Sequence, residues 1–294
     1  MNPKLLQKFL SLVLLSFVPI VGTGEVARSQ YVVQPPASER QTIDQLIQQL
    51  KTGNEQSRSA AAKALGKIGP SAIPSLIPLL KDSDWEVQQS ATLALGKIGV
   101  PAISSLIPSL KDSDANVRYS AASALGSMGE SAKSAIPSLI SLFKDSEVTV
   151  KVSAELALGN IGVPAISSLI PLLKDSDANM RSFAAYALGN MGESAKSVIP
   201  SVIPLLEDSD EDVRRSAVYV LANIGESAKS AIPNLVPLLK DSDKYVRSFT
   251  AYALRKMGES AKSAIPSLIP LLKDSDELVR SSAAETLKQL GYKP

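Results

Sequence analysis

The chain contains no cysteine and no histidine. That removes disulfides, thiol nucleophiles, imidazole bases and nearly every zinc site. Aromatic residues are scarce, at 4% of 294 positions, so a core must be built from aliphatic and small side chains. Net charge is nearly absent. The formal +2 arises in the first 29 residues, where Lys4, Lys8 and Arg28 outnumber Glu25; beyond them basic and acidic residues balance. A nucleic-acid binder normally carries a basic patch, so no nucleic-acid partner is expected. Long apolar runs are also missing. The longest, Phe9 to Val21, is 13 residues, too short for a comfortable membrane span.

Repetition is what the chain has in abundance. Lys111 to Gly129 reads KDSDANVRYSAASALGSMG, and related copies begin at Lys81, Lys144, Lys174, Glu207, Lys240 and Lys273, with a worn one at Lys51. The starts are 30 or 33 residues apart. A fixed period of this size signals a stacked-repeat solenoid, in which each unit packs only on its neighbours.

Each copy encodes an amphipathic helix. In the Lys81 copy Val87, Ala91, Ala94, Leu95 and Ile98 fall on one face of a 3.6-residue period. The second Asp of each DSD suits the N-cap. The closing Gly, as at Gly99 and Gly129, suits a left-handed C-terminal turn. Between copies lies a second helical element, such as Ala72 to Leu80, with Ile73, Leu76, Ile77 and Leu80 inward. Pro74 suits a first turn, and Pro78 should bend this outer helix. Thr42 to Leu50 reads as the first outer helix, with Thr42 and Gln45 at capping-box spacing. Its Gln45, Gln48 and Gln49 give a polar end cap. Glu277, Glu285, Lys288 and Gln289 can cap the other end.

The outer Pro and Leu-Leu, the turn Asp, the Val-Arg pair and the AAxALGxIG tail resemble the HEAT repeat family, and more closely its phycobilisome-lyase HEAT-like subclass. The resemblance covers about residues 40 to 291. It implies an all-α, right-handed α-solenoid of about eight helix pairs, with the repeat helices lining the concave side. It also implies an inter-repeat ladder of Asp112, Arg118, Asp175, Arg181, Asp208, Arg214, Asp241, Arg247, Asp274 and Arg280. Within single helices, Asp114 and Arg118, and their equivalents, stand at the i, i+4 spacing of an ion pair. Some HEAT-like enzymes, notably deoxyhypusine hydroxylase, bind iron through His-Glu motifs that a chain without His cannot supply. Phycobilin lyases share the subclass, so a chromophore-handling protein is the alternative function.

The expected domains are a signal peptide over 1–29, a linker over 30–39 and the solenoid over 40–294. Lys4 and Lys8 precede the apolar run, and Ala27-Arg28-Ser29 offers a cleavage site before Gln30. This points to a periplasmic or extracellular protein; an uncleaved leader would instead anchor it to a membrane. No cofactor or metal is indicated. DSD resembles the start of a calcium loop, but the places that need Gly and Glu hold Val117 and Ser123. A Ser–Lys pair at Ser131 and Lys133 recurs in several units, and repetition argues against a single reaction centre.

One row departs from the scaffold. Tyr186, Tyr219 and Tyr252 occupy the same position in three successive copies, where the others hold Lys63, Leu93, Ser123, Leu156 and Glu285. The helical wheel turns them well away from the core, so they should be largely exposed. Asn190, Asn223 and Lys256 follow one turn later, and Arg215 and Tyr245 lie nearby. Aromatic residues with adaptable polar neighbours make binding anchors. These eight residues are the candidate site of a non-enzymatic scaffold for a protein or peptide, although the rings could equally cover the seam between helices.

Overall fold

In a computed structural model of the protein, residues 35–293 are described. The signal peptide and the first half of the linker expectation lie outside them. Among the described residues the regular structure is entirely helical, and nine α-helices reach twelve residues or more. We number these α1 (Ala37–Thr52), α2 (Glu55–Ile68), α3 (Trp85–Ile98), α4 (Ala115–Ser127), α5 (Val148–Ile161), α6 (Ala178–Gly189), α7 (Glu211–Ile224), α8 (Lys244–Lys256) and α9 (Glu277–Gln289). Helices α2 to α9 are the eight repeat copies, stacked in order. The result is an all-α solenoid.

The sequence of each turn explains where these helices start and stop. The two aspartates of DSD do different work. Asp112 Oδ1 accepts the Asp114 N–H at 3.0 Å, which folds the turn. Asp114 Oδ1 then accepts the Asn116 N–H at 2.8 Å and caps α4. Asp177, Asp210, Asp243 and Asp276 cap their helices in the same way. Among the described residues no Asp–Arg pair forms at i, i+4; Arg118 and its equivalents turn instead to the carbonyls of the turn and to the carboxylate of the next repeat. Eight glycines, one closing each repeat, have φ between 57° and 84°, where a Cβ would be strained.

The outer elements are broken, where a single bent helix was expected. Pro70–Ala72 is a 3₁₀ turn, Ile73–Leu76 one α turn, and Ile77–Lys81 a 3₁₀ turn again. Pro78 has no N–H for an i→i−4 bond and would crowd the carbonyl behind it, so the chain tightens into the narrower helix. The three extra residues of the longer units form added 3₁₀ structure, as in Gly129–Ala135. Helix α1 begins at Ala37, inside the expected linker. Thr42 therefore lies within the helix and donates to the Ser38 carbonyl at 2.9 Å; it caps nothing. The rest of the end-cap reading stands in the geometry. Ile43 and Leu50 are buried, while Gln45, Gln48 and Gln49 are exposed.

One continuous core of Leu, Ile, Val and Ala runs through all the repeats. A chain of arginines flanks it. Arg118 Nη1 donates to the Asp112 and Ser113 carbonyls of its own repeat at 2.8 and 3.0 Å. Its Nε and Nη2 grip Asp145 of the next repeat at 2.6 and 2.8 Å. Arg181 joins Asp175 O to the Asp208 carboxylate, Arg214 joins Asp208 O to Asp241, and Arg247 joins Asp241 O to Asp274. Arg280 holds the Asp274 and Ser275 carbonyls of the last repeat. The series departs from this pattern three times. Arg58 pairs with Asp84 and Glu86 of the next repeat in place of Asp82. Gln88 keeps only the bond to its own Asp82 carbonyl, and Lys81 reaches Asp112 at 2.8 Å in its place. Lys151 stands where an Arg would reach Asp175, but its ammonium lies 5.9 Å from the Phe183 ring centroid.

The Arg118 guanidinium holds the Asp145 carboxyl below the usual carboxylate range, against the opposing effect of burial. A depressed folded-state pKa adds stability above the unfolded value and loses it as pH falls through the folded one. Acid below about pH 4 should therefore weaken the ladder. Arg181→Ala leaves Asp208 half-buried and unpaired, and should cost about 2–3 kcal/mol by chemical denaturation at neutral pH. Arg181→Gln can keep the bond that Gln88 makes and should cost less. Equal losses would mean that the bond to the Asp175 carbonyl contributes nothing.

Candidate functional site

The tyrosine row sits along the face of the repeat helices, but more deeply than a helical wheel implies. Tyr186, Tyr219 and Tyr252 are each half-buried, which corrects the expectation that they are largely exposed. The wheel considers one hairpin, whereas in a solenoid the next helix covers the flank. Glycine lets that helix come close. A Cβ on Gly189 of α6 would lie 2.5 Å from Tyr219 Cδ1 of α7. The Tyr186 and Tyr219 ring centroids are 5.3 Å apart at 58°. By contrast, the aliphatic members of the row, Leu93 and Leu156, are 42% and 49% exposed.

A polar chain crosses three helices beneath these rings. The Tyr219 hydroxyl donates to Asn190 Oδ1 at 2.7 Å. Asn190 Nδ2 donates to Glu155 Oε1 at 3.0 Å. Glu155 of α5 was not among the candidate residues. Its corresponding residues are Ala62, Thr92, Ala122, Ala185, Val218, Ala251 and Ala284, so it is the only charge at an otherwise small or apolar position. That oddity is the signal that could have found it. Burial pushes its carboxyl up to about 7, with the Asn190 bond acting in the other direction. Burial likewise raises the Tyr186 phenol, while the Arg215 charge lowers it.

The remaining candidates divide. Arg215 pairs with Asp212 at 2.8 Å and rests 5.2 Å from the Tyr245 ring centroid; Tyr245 is 42% exposed. Tyr252 carries the Arg255 guanidinium 5.0 Å from its ring centroid, and Arg255 is paired with Glu285. Asn223 is half-buried and makes no side-chain hydrogen bond among the described residues. Lys256 is exposed at the end of α8. Tyr186, Asn190 and Tyr219 thus form one cluster with Glu155. Arg215 and Tyr245 form a second contact, and Tyr252 stands in a third. Next to the cluster, between α4 and α5, lies a cavity of about 200 Å³ lined by Tyr119, Ser123, Val152, Leu156 and Asn160. Ser123 on its wall stands at the position that three later copies fill with tyrosine.

This surface offers ring faces, amide and phenol hydrogen bonds, and one carboxylate. Those are means of binding, with no nucleophile and base in contact. The DSD carboxylates are committed to turns, caps and the ladder.

A family model described as HEAT repeats matches residues 43–126, 102–159, 136–199 and 199–288. No curated protein matches the chain. Among solved structures, importin beta aligns over 84% of this chain and 41% of its own, at 17% identity and a TM-score of 0.59. Kap121p aligns over 85% of this chain and 37% of its own, at 16% identity and a TM-score of 0.52. The CpcE and CpcF complex of phycocyanin lyase, from a Nostoc species, covers 52% of this chain and 98% of its own, at 21% identity and a TM-score of 0.48. The first two share the fold; the third likeness carries no argument.

Two outcomes test the packing of this site. Gly189→Ala should destabilise the protein by about 1–3 kcal/mol, and Tyr219→Ala, by removing the ring the new methyl meets, should relieve most of that increment in a double-mutant cycle. Glu155 is the pH-sensitive member. Its folded pKa is raised, so the native state holds the proton better, and stability falls as pH climbs from about 4.5 through about 7. Glu155→Gln should match the parent at pH 5 and melt at least about 2 °C higher at pH 8, the shift that roughly 1 kcal/mol gives a chain of this size.

Proposed function

The chain belongs to the HEAT repeat family, and from that premise we propose that it is a non-enzymatic scaffold that grips a protein or peptide across its repeat-helix face. One observation carries this reading. Over α5, α6 and α7 that face carries a hydrogen-bonded cluster of Glu155, Asn190 and Tyr219 with Tyr186 packed on it, and the cluster lies beside the exposed Leu156. Interfaces draw their energy from such partly buried aromatic anchors. Repeat solenoids supply extended concave surfaces for this purpose, and binding on the concave side follows if the repeat helices line it. The uncharged balance of the repeats supports a protein partner over a nucleic acid.

Export belongs to the same proposal. It rests on the basic and apolar pattern of the first 21 residues. A reporter fused behind residue 39 should be active outside the cytoplasm, and activity inside would remove this part.

The scaffold reading is tested by recovery of partners from the extracytoplasmic fraction. The parent should enrich a defined partner, and the Tyr186/Tyr219/Tyr252 triple alanine variant, checked for helicity, should lose it by tenfold or more, about 1.4 kcal/mol. Unchanged recovery would discard the tyrosine row as the binding surface.

A further inference from the structure

Glu155 is expensive where it stands. Its carboxylate is drawn half into the seam between α5 and α6, at a position that the other copies fill with Ala, Thr or Val. Asn190 supplies its one side-chain hydrogen bond, to Oε1. Among the described residues no Lys or Arg lies within ion-pairing distance of it. A carboxylate drawn this far inward normally has a cation or several donors. Oε2 has neither and remains open to solvent.

The neighbouring cations are otherwise engaged. Arg215 is held by Asp212 and sits on α7, two helices away. Lys151 of the same helix lies over Phe183. Arg181 is committed to Asp208. The flanks of Glu155 are aromatic and aliphatic. Tyr219 is joined to it through Asn190, Tyr186 packs on Tyr219, and Leu156 is exposed beside it. A carboxylate with one free oxygen, set beside ring faces, is the arrangement that favours an organic cation.

We propose that Glu155 recognises a lysine or arginine side chain of an extended partner segment, while the adjoining socket at Ser123 takes a large apolar side chain of the same segment. This rests on the scaffold reading and names the chemistry of its partner. Charge complementarity selects the basic residue, and the cavity of about 200 Å³ between α4 and α5 selects the apolar one. The two places belong to consecutive inter-helix grooves. Stacked helices are about 8–10 Å apart, and an extended chain advances about 3.3 Å per residue. The two side chains should therefore be two or three residues apart.

The test uses a phage-displayed library of random dodecapeptides, panned against the full chain. Enriched peptides should carry Lys or Arg two or three residues from Leu, Ile, Met or Phe. Glu155→Gln keeps the size of the side chain and an acceptor for Asn190. It should bind the enriched peptide about tenfold more weakly by calorimetry. Replacing the basic residue of the peptide by norleucine should cost the parent about as much, and cost the Glu155→Gln protein almost nothing. Peptides enriched without a basic residue, or with a basic residue that Glu155→Gln tolerates, would overturn the assignment while leaving peptide binding intact. No enrichment on any panel would overturn the assignment together with the scaffold reading.

Discussion

No repeat of this chain can bury its own apolar face. One long helix and one broken outer segment give a two-layer unit with open sides, and only the adjacent units close them. Everything else follows from that dependence. The helices must be short enough to repeat, small enough at the seam to approach, and firmly ended so that each hairpin returns to the same register. The alanines at 0% exposure, such as Ala91, Ala121 and Ala184, are the contact surface. A larger residue there would part the stack.

Polar groups then set the register that apolar contacts leave loose. Hydrophobic burial is non-directional, so a stack held by leucine alone could slide or twist. The Arg ladder is directional. Arg118, Arg181, Arg214 and Arg247 each satisfy two carbonyls in the turn before their own helix and one carboxylate in the next repeat, in a planar fork that tolerates little rotation. The same carboxylate folds the turn of that next repeat. A single aspartate thus ties the end of one unit to the start of another. Where the ladder lapses, at Gln88 and Lys151, other contacts take over at the same junctions: Lys81 to Asp112, and the stack of Phe143 on Phe183 at 5.6 Å.

The frame was legible because its signals are local and repeated. A cap, a left-handed glycine and an apolar period each occupy a few adjacent residues, and eight copies average out the noise. What escaped depended on neighbours in space. The i, i+4 spacing of Asp114 and Arg118 was present, but turn carbonyls and the Asp145 carboxylate of the next repeat hold the guanidinium instead. The prolines of the outer segments were read correctly as disruptive; local sequence does not distinguish a bent helix from one that tightens. Tyr186, Tyr219 and Tyr252 were placed on the right face and given too much exposure, since a neighbouring helix covers each flank, most closely at Tyr219, where position 189 is glycine. Glu155 occurs once at its repeat position, so the recurring pattern does not carry it. In a repeat protein the frame lies in what recurs, and an odd residue at a frame position marks something else.

That distinction bears on how such a scaffold acquires a particular partner. Every inward position is tied to its counterpart in the next unit, so change there is costly. Positions on the repeat-helix face are free to vary, and in this chain they vary along the stack: Leu93, Ser123, Leu156, then three tyrosines, then Glu285. The order lays different sizes and polarities on a regular grid of about 8–10 Å steps. A socket comes before an aliphatic ridge, a lone carboxylate lies beneath it, and a ring platform follows. An extended chain crossing that grid meets different chemistry at each step. Its recognition then comes from the sequence of side chains it presents, with the frame beneath remaining the same.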